Sequence, residues 1–345
     1  MSKPLISEQL PTDLREHRAV VAWNRVHPSR TSPKRLEILK LRNKSTVYRL
    51  VGAGPRGASV IAKRSLADTA RVERIIHQEF MSQFHLPSLR YYGFLEESDG
   101  EYCWLFLENA AGEAYSPLSA EHRVLAANWL AALHTAALNT DLNTRLPSRE
   151  PSDYLDLLTK ARTTFQQHLS NPVMLDNDLR TLDSLISHCD IIESHWSELE
   201  EACDRMPRAL VHGDFVIKNV SVQQKKSGPA LLAFDWELAG WGVPATDLAQ
   251  FTGRTVSPDL STYYSSMKLL KGRQDLHAVH RLAECGRFFR LIDDIFWATK
   301  CMAFDSYEFI LKPMFGLMSY ESRIAWALKE ANWNPPMSHS LTVNT

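Results

Sequence analysis

Two apolar segments of the chain each lead into side chains that could hold a metal ion and a phosphate. The first segment, residues 209–211, is followed by a polar loop that carries Asp214 and Asn219, and the second, residues 231–234, ends at Asp235. Both segments are short and apolar, as expected of buried strands. Carboxylate and amide oxygens are ligands that suit Mg²⁺. The pattern therefore predicts a site where a hard cation and a phosphate meet.

The elements that must position these groups differ between the two parts of the chain. From residue 36 to residue 108 the sequence has short β-rich runs interrupted by one amphipathic helix, residues 68–84. Residues 36–108 are therefore predicted to form a small antiparallel sheet domain with one helix. The predicted strands are Leu36–Leu41, Thr46–Val51, Ala58–Arg64, Leu89–Leu95 and Tyr102–Leu107.

Residues 109–333 are predicted to be mainly helical, which makes the fold class α+β. Residues 1–35 contain four prolines and predict an irregular or partly helical arm, and residues 334–345 predict a disordered tail. The predicted helices are 120–138, 154–169, 175–206, 260–270, 276–304 and 307–331.

A glycine-rich turn, GAGPRG, contains the spacing G-x-G-x-x-G at Gly52, Gly54 and Gly57. A dinucleotide-binding fingerprint needs a strand before these glycines and a helix after them. Here a strand follows the turn, so the segment is interpreted as the turn of a β-hairpin.

Composition excludes several classes of protein. The formal net charge is −1, which argues against nucleic acid as the main partner. No stretch is apolar and long enough for a membrane helix, and the N-terminus lacks the apolar centre of a signal peptide, so we expect a cytoplasmic protein. The five cysteines are scattered without a CxxC pair, which predicts reduced thiols rather than a zinc site.

Charge is distributed unevenly along the chain. Residues 1–149 carry 20 Lys and Arg against 15 Asp and Glu, whereas residues 150–345 carry 19 against 25. A polyanion bound by the basic part and a cationic ligand bound by the acidic part would fit this asymmetry. Chance clustering of solvated charges is the alternative.

Three motifs in order along the chain give a kinase layout. V-I-A-K ends at Lys63 in the β-rich part, H-G-D-x-x-x-x-N runs from His212 to Asn219, and Phe234 precedes D-W-E at residues 235–237. With these residues the chain resembles the aminoglycoside phosphotransferase and choline kinase superfamily, which consists of small-molecule relatives of protein kinases. The resemblance extends over roughly residues 36–255. It implies a two-lobed kinase-like fold that uses ATP and Mg²⁺; GTP is not excluded.

The resemblance also assigns roles to the residues around the two apolar segments. Asp214 is implied as the catalytic base, which takes the proton of the substrate hydroxyl. Asn219 and Asp235 are implied as magnesium ligands. The supporting residues are His212, which would brace the catalytic loop, and Glu237 and Asp247.

Lys63 lies in the middle of an apolar strand, where a lysine is costly unless it is paired. A nucleotide phosphate and a carboxylate from the following helix would satisfy it. Glu79 is the expected carboxylate because its segment matches the family's helix, and Glu73 is the alternative. The phosphate-covering loop, residues 42–46, has no glycine, so Ser45 and Thr46 are expected to contribute hydroxyl and backbone N–H groups. The adenine is expected at the connection formed by Leu107, Glu108, Asn109 and Ala110.

The expected activity is transfer of the γ-phosphate of ATP to a hydroxyl of a small molecule, such as an aminoglycoside or another antibiotic, an amino sugar or an amino alcohol. Asp293 and Asp294 interrupt an apolar helix and could face a cationic acceptor. The alternative is a nucleotide-binding scaffold or sensor without transfer activity. A protein kinase is disfavoured because the chain has H-G-D in place of H-R-D and lacks a recognisable A-P-E segment.

Overall fold

The structure is a computed structural model of the 345-residue chain. It describes residue 8 and residues 10–28, 32–42, 44–84, 86–138, 140–267, 275–302 and 306–333. The predictions that concern Asn43, residues 268–270, residues 303–304 and the tail lie outside the described residues. The chain divides into two compact units, of which the first comprises residues 1–147, 209–241 and 254–269 and the second comprises residues 148–208, 242–253 and 270–345.

Among the described residues, the first unit contains a five-stranded antiparallel sheet with the strand order β1-β2-β3-β5-β4. The five strands predicted from the sequence are confirmed, and GAGPRG is the connection between the antiparallel strands β2 and β3. The fold class is α+β, as predicted. The strands are β1 (Arg35–Arg42), β2 (Ser45–Val51), β3 (Val60–Leu66), β4 (Tyr91–Glu96) and β5 (Tyr102–Glu108).

The N-terminal arm covers one face of this sheet with helix α1 (Arg18–Val26). Trp23 of α1 is fully buried and packs with Phe106 of β5, with ring centroids 5.2 Å apart. Tyr48 of β2 belongs to the same apolar cluster. Because side chains alternate between the two faces of a strand, the residues on either side of Tyr48 face the opposite side of the sheet. The arm is thus partly helical, as predicted, and it forms part of the core.

The helix after β3 is continuous but irregular. It consists of α2 (Ala67–Arg74), a π-helical segment (Ile75–Phe80) and α3 (Met81–Gln83). A π-helical segment is wider than an α-helix, so it shifts the phase of the buried face.

Further elements of the first unit follow the sheet. A second sheet has the strand order β10-β9-β6, and α4 packs against α9. The elements are β6 (Glu113–Ala114), α4 (Ala120–Ala137), β8 (Ala209–Val211), β9 (Val220–Lys225), β10 (Gly228–Ala233) and α9 (Leu260–Ser266).

The second unit is mainly helical, as the sequence predicts. The predicted helix 175–206 is two helices, because the chain leaves helical geometry at His195. The helices are α5 (Pro151–His168), α6 (Asp176–Ser194), α7 (Trp196–Asp204), α8 (Ala245–Leu248), α10 (Leu276–Thr299) and α11 (Tyr307–Glu330); the short strands are β7 (Ser148–Arg149) and, where the units divide, β11 (Gly240–Gly242). None of the helices in the described part of the chain has the length and apolar character that crossing a membrane requires.

Candidate active site

A cavity of about 340 Å³ lies within the first unit, against the face of the sheet opposite α1. A volume of this size falls in the range of small-molecule sites. Its wall combines apolar side chains with charged ones and includes the predicted connection between residues 107 and 110. The lining residues are Leu39, Lys40, Val47, Arg49, Ile61, Lys63, Glu73, Leu89, Leu107, Glu108, Asn109, Ala110, Lys218, Asn219, Phe234 and Asp235.

Strand register gives this cavity a charged end and an apolar end. Lys63 lies opposite Val47 of the neighbouring strand, and Ile61, two residues earlier, lies opposite Arg49. Residues two apart on a strand share a face, so both pairs point into the cavity. Lys63 therefore marks the charged end, and the branched side chains around Ile61 suit the faces of a purine ring.

The Lys63 ammonium is surrounded by three carboxylates. Its Nζ atom lies 2.6 Å from Glu73 Oε1 and 2.7 Å from Glu237 Oε1, and it also pairs with Asp235. The lysine side chain is 7% exposed. Burial disfavours the ammonium, but the three carboxylates outweigh burial and raise the pKa of Lys63 above its usual value. The predicted pairing of this lysine with a helix carboxylate is thus present.

Glu73, and not Glu79, is that carboxylate, so the expected role of Glu79 is wrong. Glu79 pairs instead with Arg145, at 2.7 Å, and its side chain is 34% exposed. Glu73 is fully buried because it follows the buried face of the helix, one turn after Ala70. Burial, reinforced by Asp235 and Glu237 and opposed by Lys63, raises the pKa of Glu73 to about 7.

His77 lies one turn beyond Glu73, in the π-helical segment. Its ring is buried, and neither ring nitrogen has a hydrogen-bond partner among the residues that the structure describes. Burial, together with the positive charge of Lys63 and the proximity of His212, lowers the pKa of His77 to about 3. The ring is therefore neutral at physiological pH.

The catalytic loop brings Asp214 and Asn219 together. Asn219 Nδ2 donates to Asp214 Oδ2 at 2.8 Å and to the Asp214 carbonyl at 2.9 Å. Between them, Lys218 places its Nζ atom 3.2 Å from Asp214 Oδ2. Gly213 has φ +76°, and a Cβ atom there would lie 2.1 Å from the carbonyl oxygen of Leu238. Only glycine fits this close approach, which explains H-G-D in this chain.

The oxygen atoms needed for a magnesium ion are present at the charged end of the cavity. Asn219 donates from Nδ2 to Asp214, so Oδ1, the acceptor atom of the same amide, is the atom that could bind a cation. Asp235 follows β10 in a left-handed conformation, with φ +69°. Burial raises the pKa of its carboxyl group, but Lys63 and, more weakly, Lys40 and Lys218 outweigh burial, so the pKa lies below the usual range. An ionised carboxylate and an amide oxygen from residues that line the same cavity fit Mg²⁺.

The phosphate-covering loop agrees only in part with the sequence. The side chain of Thr46 lies on the α1 face, with that of Tyr48, so its hydroxyl cannot face the cavity and the hydroxyl role expected for Thr46 is wrong. Ser45 lies on the cavity face but does not line the cavity. Its role, and that of the backbone N–H groups, stays a prediction.

The predicted supporting residues fall in both units. His212 is fully buried, its ring centroid lies 4.4 Å from that of Trp236, and the backbone N–H of Asp214 donates to its Nδ1 at 3.4 Å. This packing is what a brace for the catalytic loop requires. Glu237 pairs with Lys63, as described above. Asp247 is buried in α8 of the second unit. These supporting roles stay predictions.

Three positively charged residues that line the cavity were missed by the sequence interpretation: Lys40, Arg49 and Lys218. Arg49 donates from Nε to Asn109 Oδ1 at 3.1 Å and from Nη1 to Glu37 Oε2 at 2.7 Å. It therefore links β2 to the predicted adenine-binding connection. The sequence did contain one indication of these cations: the covering loop has no glycine, so positively charged side chains from other segments are needed to bind the phosphates.

Comparison with known proteins gives a family. The sequence model of the phosphotransferase enzyme family matches residues 38–280. A search of curated proteins returned no match.

Solved structures show the same fold at low sequence identity. A GDP and kanamycin complex of APH(2")-IIia is 14% identical, with a TM-score of 0.60, and the match covers 88% of this chain and 97% of that one. A ternary complex of a thermostable mutant of aminoglycoside phosphotransferase APH(4)-Ia with AMP-PNP and hygromycin B is 15% identical, with a TM-score of 0.56 and coverage of 88% and 96%. Choline kinase from Cryptosporidium parvum Iowa II is 12% identical, with a TM-score of 0.54 and coverage of 87% and 92%.

Proposed function

The chain belongs to the phosphotransferase enzyme family and is a small-molecule kinase, and from that premise we propose that it moves the γ-phosphate of ATP, with Mg²⁺, to a hydroxyl of an amine-bearing small molecule. The observation that carries the proposal is the cavity of the first unit. It places Lys63, Asn219 and Asp235 in one wall, and Asn219 holds the carboxylate of Asp214.

Each of these side chains has a place in phosphoryl transfer. Asp214 accepts the proton of the acceptor hydroxyl while the oxygen of that hydroxyl bonds to the γ-phosphorus. The bond from phosphorus to the β,γ-bridging oxygen breaks, and ADP leaves with its electron pair. Lys63 binds the α- and β-phosphates, and Glu73 holds Lys63 in position. Asn219 and Asp235 would hold Mg²⁺, which would neutralise charge on the phosphates.

The base end of the cavity supports a purine nucleotide. Branched and aromatic side chains line it, and the connection from Leu107 to Ala110 offers backbone groups to the edge of the base. The two aminoglycoside phosphotransferase structures contain GDP in one case and AMP-PNP in the other. Backbone contacts serve either purine, and we propose ATP as the donor that the resemblance of the sequence to this family implies.

Two observations support an amine-bearing acceptor. The similar structures include a kanamycin complex, a hygromycin B complex and a choline kinase. The acidic balance of residues 150–345 would attract a cation. Asp293 and Asp294 lie on α10 of the second unit. Both belong to the excess of acidic residues in the segment 150–345.

The test is to incubate the protein with MgATP and pools of aminoglycosides, other antibiotics, amino sugars and amino alcohols, and to detect products 80 Da heavier by mass spectrometry. Asp214→Ala should lower transfer by about 10²-fold or more, because the general base is lost, while ATP affinity stays nearly unchanged. Asp235→Ala should also weaken MgATP binding. Asp156→Ala, at an exposed position of α5, is the matched control and should transfer at the wild-type rate.

Wild-type transfer by the Asp214 variant would overturn the assignment of the base. ATP binding without any phosphorylated product from the pools would instead favour the nucleotide-binding scaffold or sensor.

A further inference from the structure

Lys218 occupies a position in the catalytic loop that the proposed mechanism has not used. It belongs to a single 3₁₀ turn, Ile217–Asn219, between the base and a magnesium ligand. Its Nζ atom lies 3.2 Å from Asp214 Oδ2. An ammonium this close to the base is also close to the oxygen that the base would deprotonate.

Lys218 and Lys63 line the same cavity but differ in exposure and in the number of carboxylates that they pair with. Lys63 is buried and pairs with three carboxylates. The side chain of Lys218 is 57% exposed, and the ion pair it forms within the described part of the chain is with Asp214 alone. A flexible, hydrated ammonium of this kind exchanges partners easily. Lys218 can therefore turn toward a phosphate at small cost.

We propose that Lys218 is a catalytic residue that binds the transferring γ-phosphoryl group. The inference rests on the proposed function, and it adds a positively charged side chain at the γ-phosphate, whereas in that mechanism the lysine that binds phosphate, Lys63, contacts the α- and β-phosphates. Lys218 gains and loses no proton. The bonds that form and break are those of the transfer described above, and the acceptor proton passes to Asp214.

The ion pair with Asp214 couples this contact to proton transfer. When Asp214 takes the proton, its carboxylate becomes neutral and no longer attracts the ammonium. At the same stage negative charge spreads over the three equatorial oxygens of the phosphoryl group. The ammonium thus exchanges one anionic partner for another in the transition state, and a contact strengthened there raises kcat.

The composition of the covering loop explains why a cation from another segment is needed at the phosphates. Glycine-rich loops bring backbone N–H groups onto phosphate oxygens, which requires close approach of the backbone. Residues 42–46 contain no glycine. Of the two hydroxyl side chains there, that of Thr46 faces away from the cavity. A side-chain ammonium from the catalytic loop supplies the missing positive charge.

The experiment compares Lys218→Met with Lys218→Arg. Turnover of MgATP is measured with the acceptor pools and with water as acceptor, and the affinities for ADP and AMP-PNP are measured by calorimetry. In Lys218→Met, kcat should fall by about 10²-fold, as on loss of one hydrogen bond to a charged group in the transition state. The ADP affinity should stay within about twofold, because ADP lacks the γ-phosphate. Lys218→Arg keeps the charge, so its kcat should be at least about tenfold higher than that of Lys218→Met.

Lys225→Met removes the same charge from an exposed position at the end of β9 and should match the wild type in every readout. A Lys218→Met variant with wild-type kcat would overturn the catalytic role. A loss of ADP affinity parallel to the loss of kcat, with no recovery in Lys218→Arg, would show a structural role and overturn it as well. If the wild-type chain itself turns over no MgATP with any acceptor, the proposed function fails and this assignment fails with it.

Discussion

Glu73 and Glu79 lie six residues apart on one continuous helix, yet their surroundings have little in common. Glu73 is fully buried against Lys63, in a cluster where three carboxylates face one ammonium. Glu79 is partly exposed and pairs with Arg145. The difference follows from the phase of the helix, because positions six apart cannot share a face. Residue type alone therefore does not identify the partner of a buried lysine; its position on the buried face does.

Removing each carboxylate in turn tests the difference between Glu73 and Glu79 and should give the largest effect. In Glu73→Ala, Lys63 keeps only Asp235 and Glu237 and is drawn toward them, away from the phosphate position. Misplacement by about 1 Å is enough to lower kcat/KM by roughly 10²-fold. Glu79→Ala is the matched control and should stay within about twofold of the wild type. Steady-state MgATP turnover measures both, and equal losses would contradict the assignment of Glu73.

His77 extends the comparison to stability, because it shares the buried face of the helix with Glu73. A histidine in the unfolded chain titrates near pH 6.5, whereas burial lowers the pKa of His77 to about 3. The unfolded state therefore binds the proton first, and the stability due to neutral His77 is lost as the pH falls from 6.5 toward 3. His77→Leu lacks this loss and should gain about 2 kcal/mol relative to the wild type between pH 7.5 and pH 5.

Urea unfolding of both proteins at the two pH values measures this gain. Glu73 acts in the opposite direction, since its raised pKa means that stability is lost as the pH rises from 4.5 to 7. Glu73 is present in both proteins, so the difference between them isolates His77. A difference that does not change with pH would contradict the prediction.

The smallest effect is expected at the exposed pair. Arg145 and Glu79 are each about one-third exposed, and ion pairs of this kind contribute about 0 to 1 kcal/mol. Arg145→Gln should therefore change the free energy of unfolding by less than about 1 kcal/mol, and the change should shrink in 0.5 M salt. A loss above 2 kcal/mol in urea unfolding would mean that the two faces of the helix differ less than their burial indicates.

The sequence predicted those parts of the molecule in which a local pattern determines the structure. The strands of the first sheet could be predicted because their side chains alternate. The approach of Asn219 to Asp214 could be predicted because the two residues are separated by one short turn of chain. The choice of Glu79 failed because it followed a matching motif, whereas the burial of Ala70 and His77, which places Glu73 on the buried face, is seen only in the structure. The π-helical segment, which the sequence did not reveal, lies between the two acids.

Other features depend on contacts that no local pattern encodes. Arg49 meets Asn109 only because the strand register brings residues 60 apart together. Lys218 was visible as a charge, but its distance from Asp214 depends on the 3₁₀ turn. The hydroxyl role expected for Thr46 is wrong because Thr46 lies inside β2, which begins at Ser45, and strand alternation directs its side chain to the α1 face.

Helix α1 determines where the chain can be truncated without exposing its core. The family match begins at residue 38, but Ala19, Val20 and Trp23 of α1 are fully buried against the sheet. A fragment cut at the start of the match would uncover Trp104 and Phe106 and present a wide aromatic surface to solvent. Such surfaces promote self-association. The folding unit of this enzyme is therefore longer than the segment that the family model matches, because it includes helix α1.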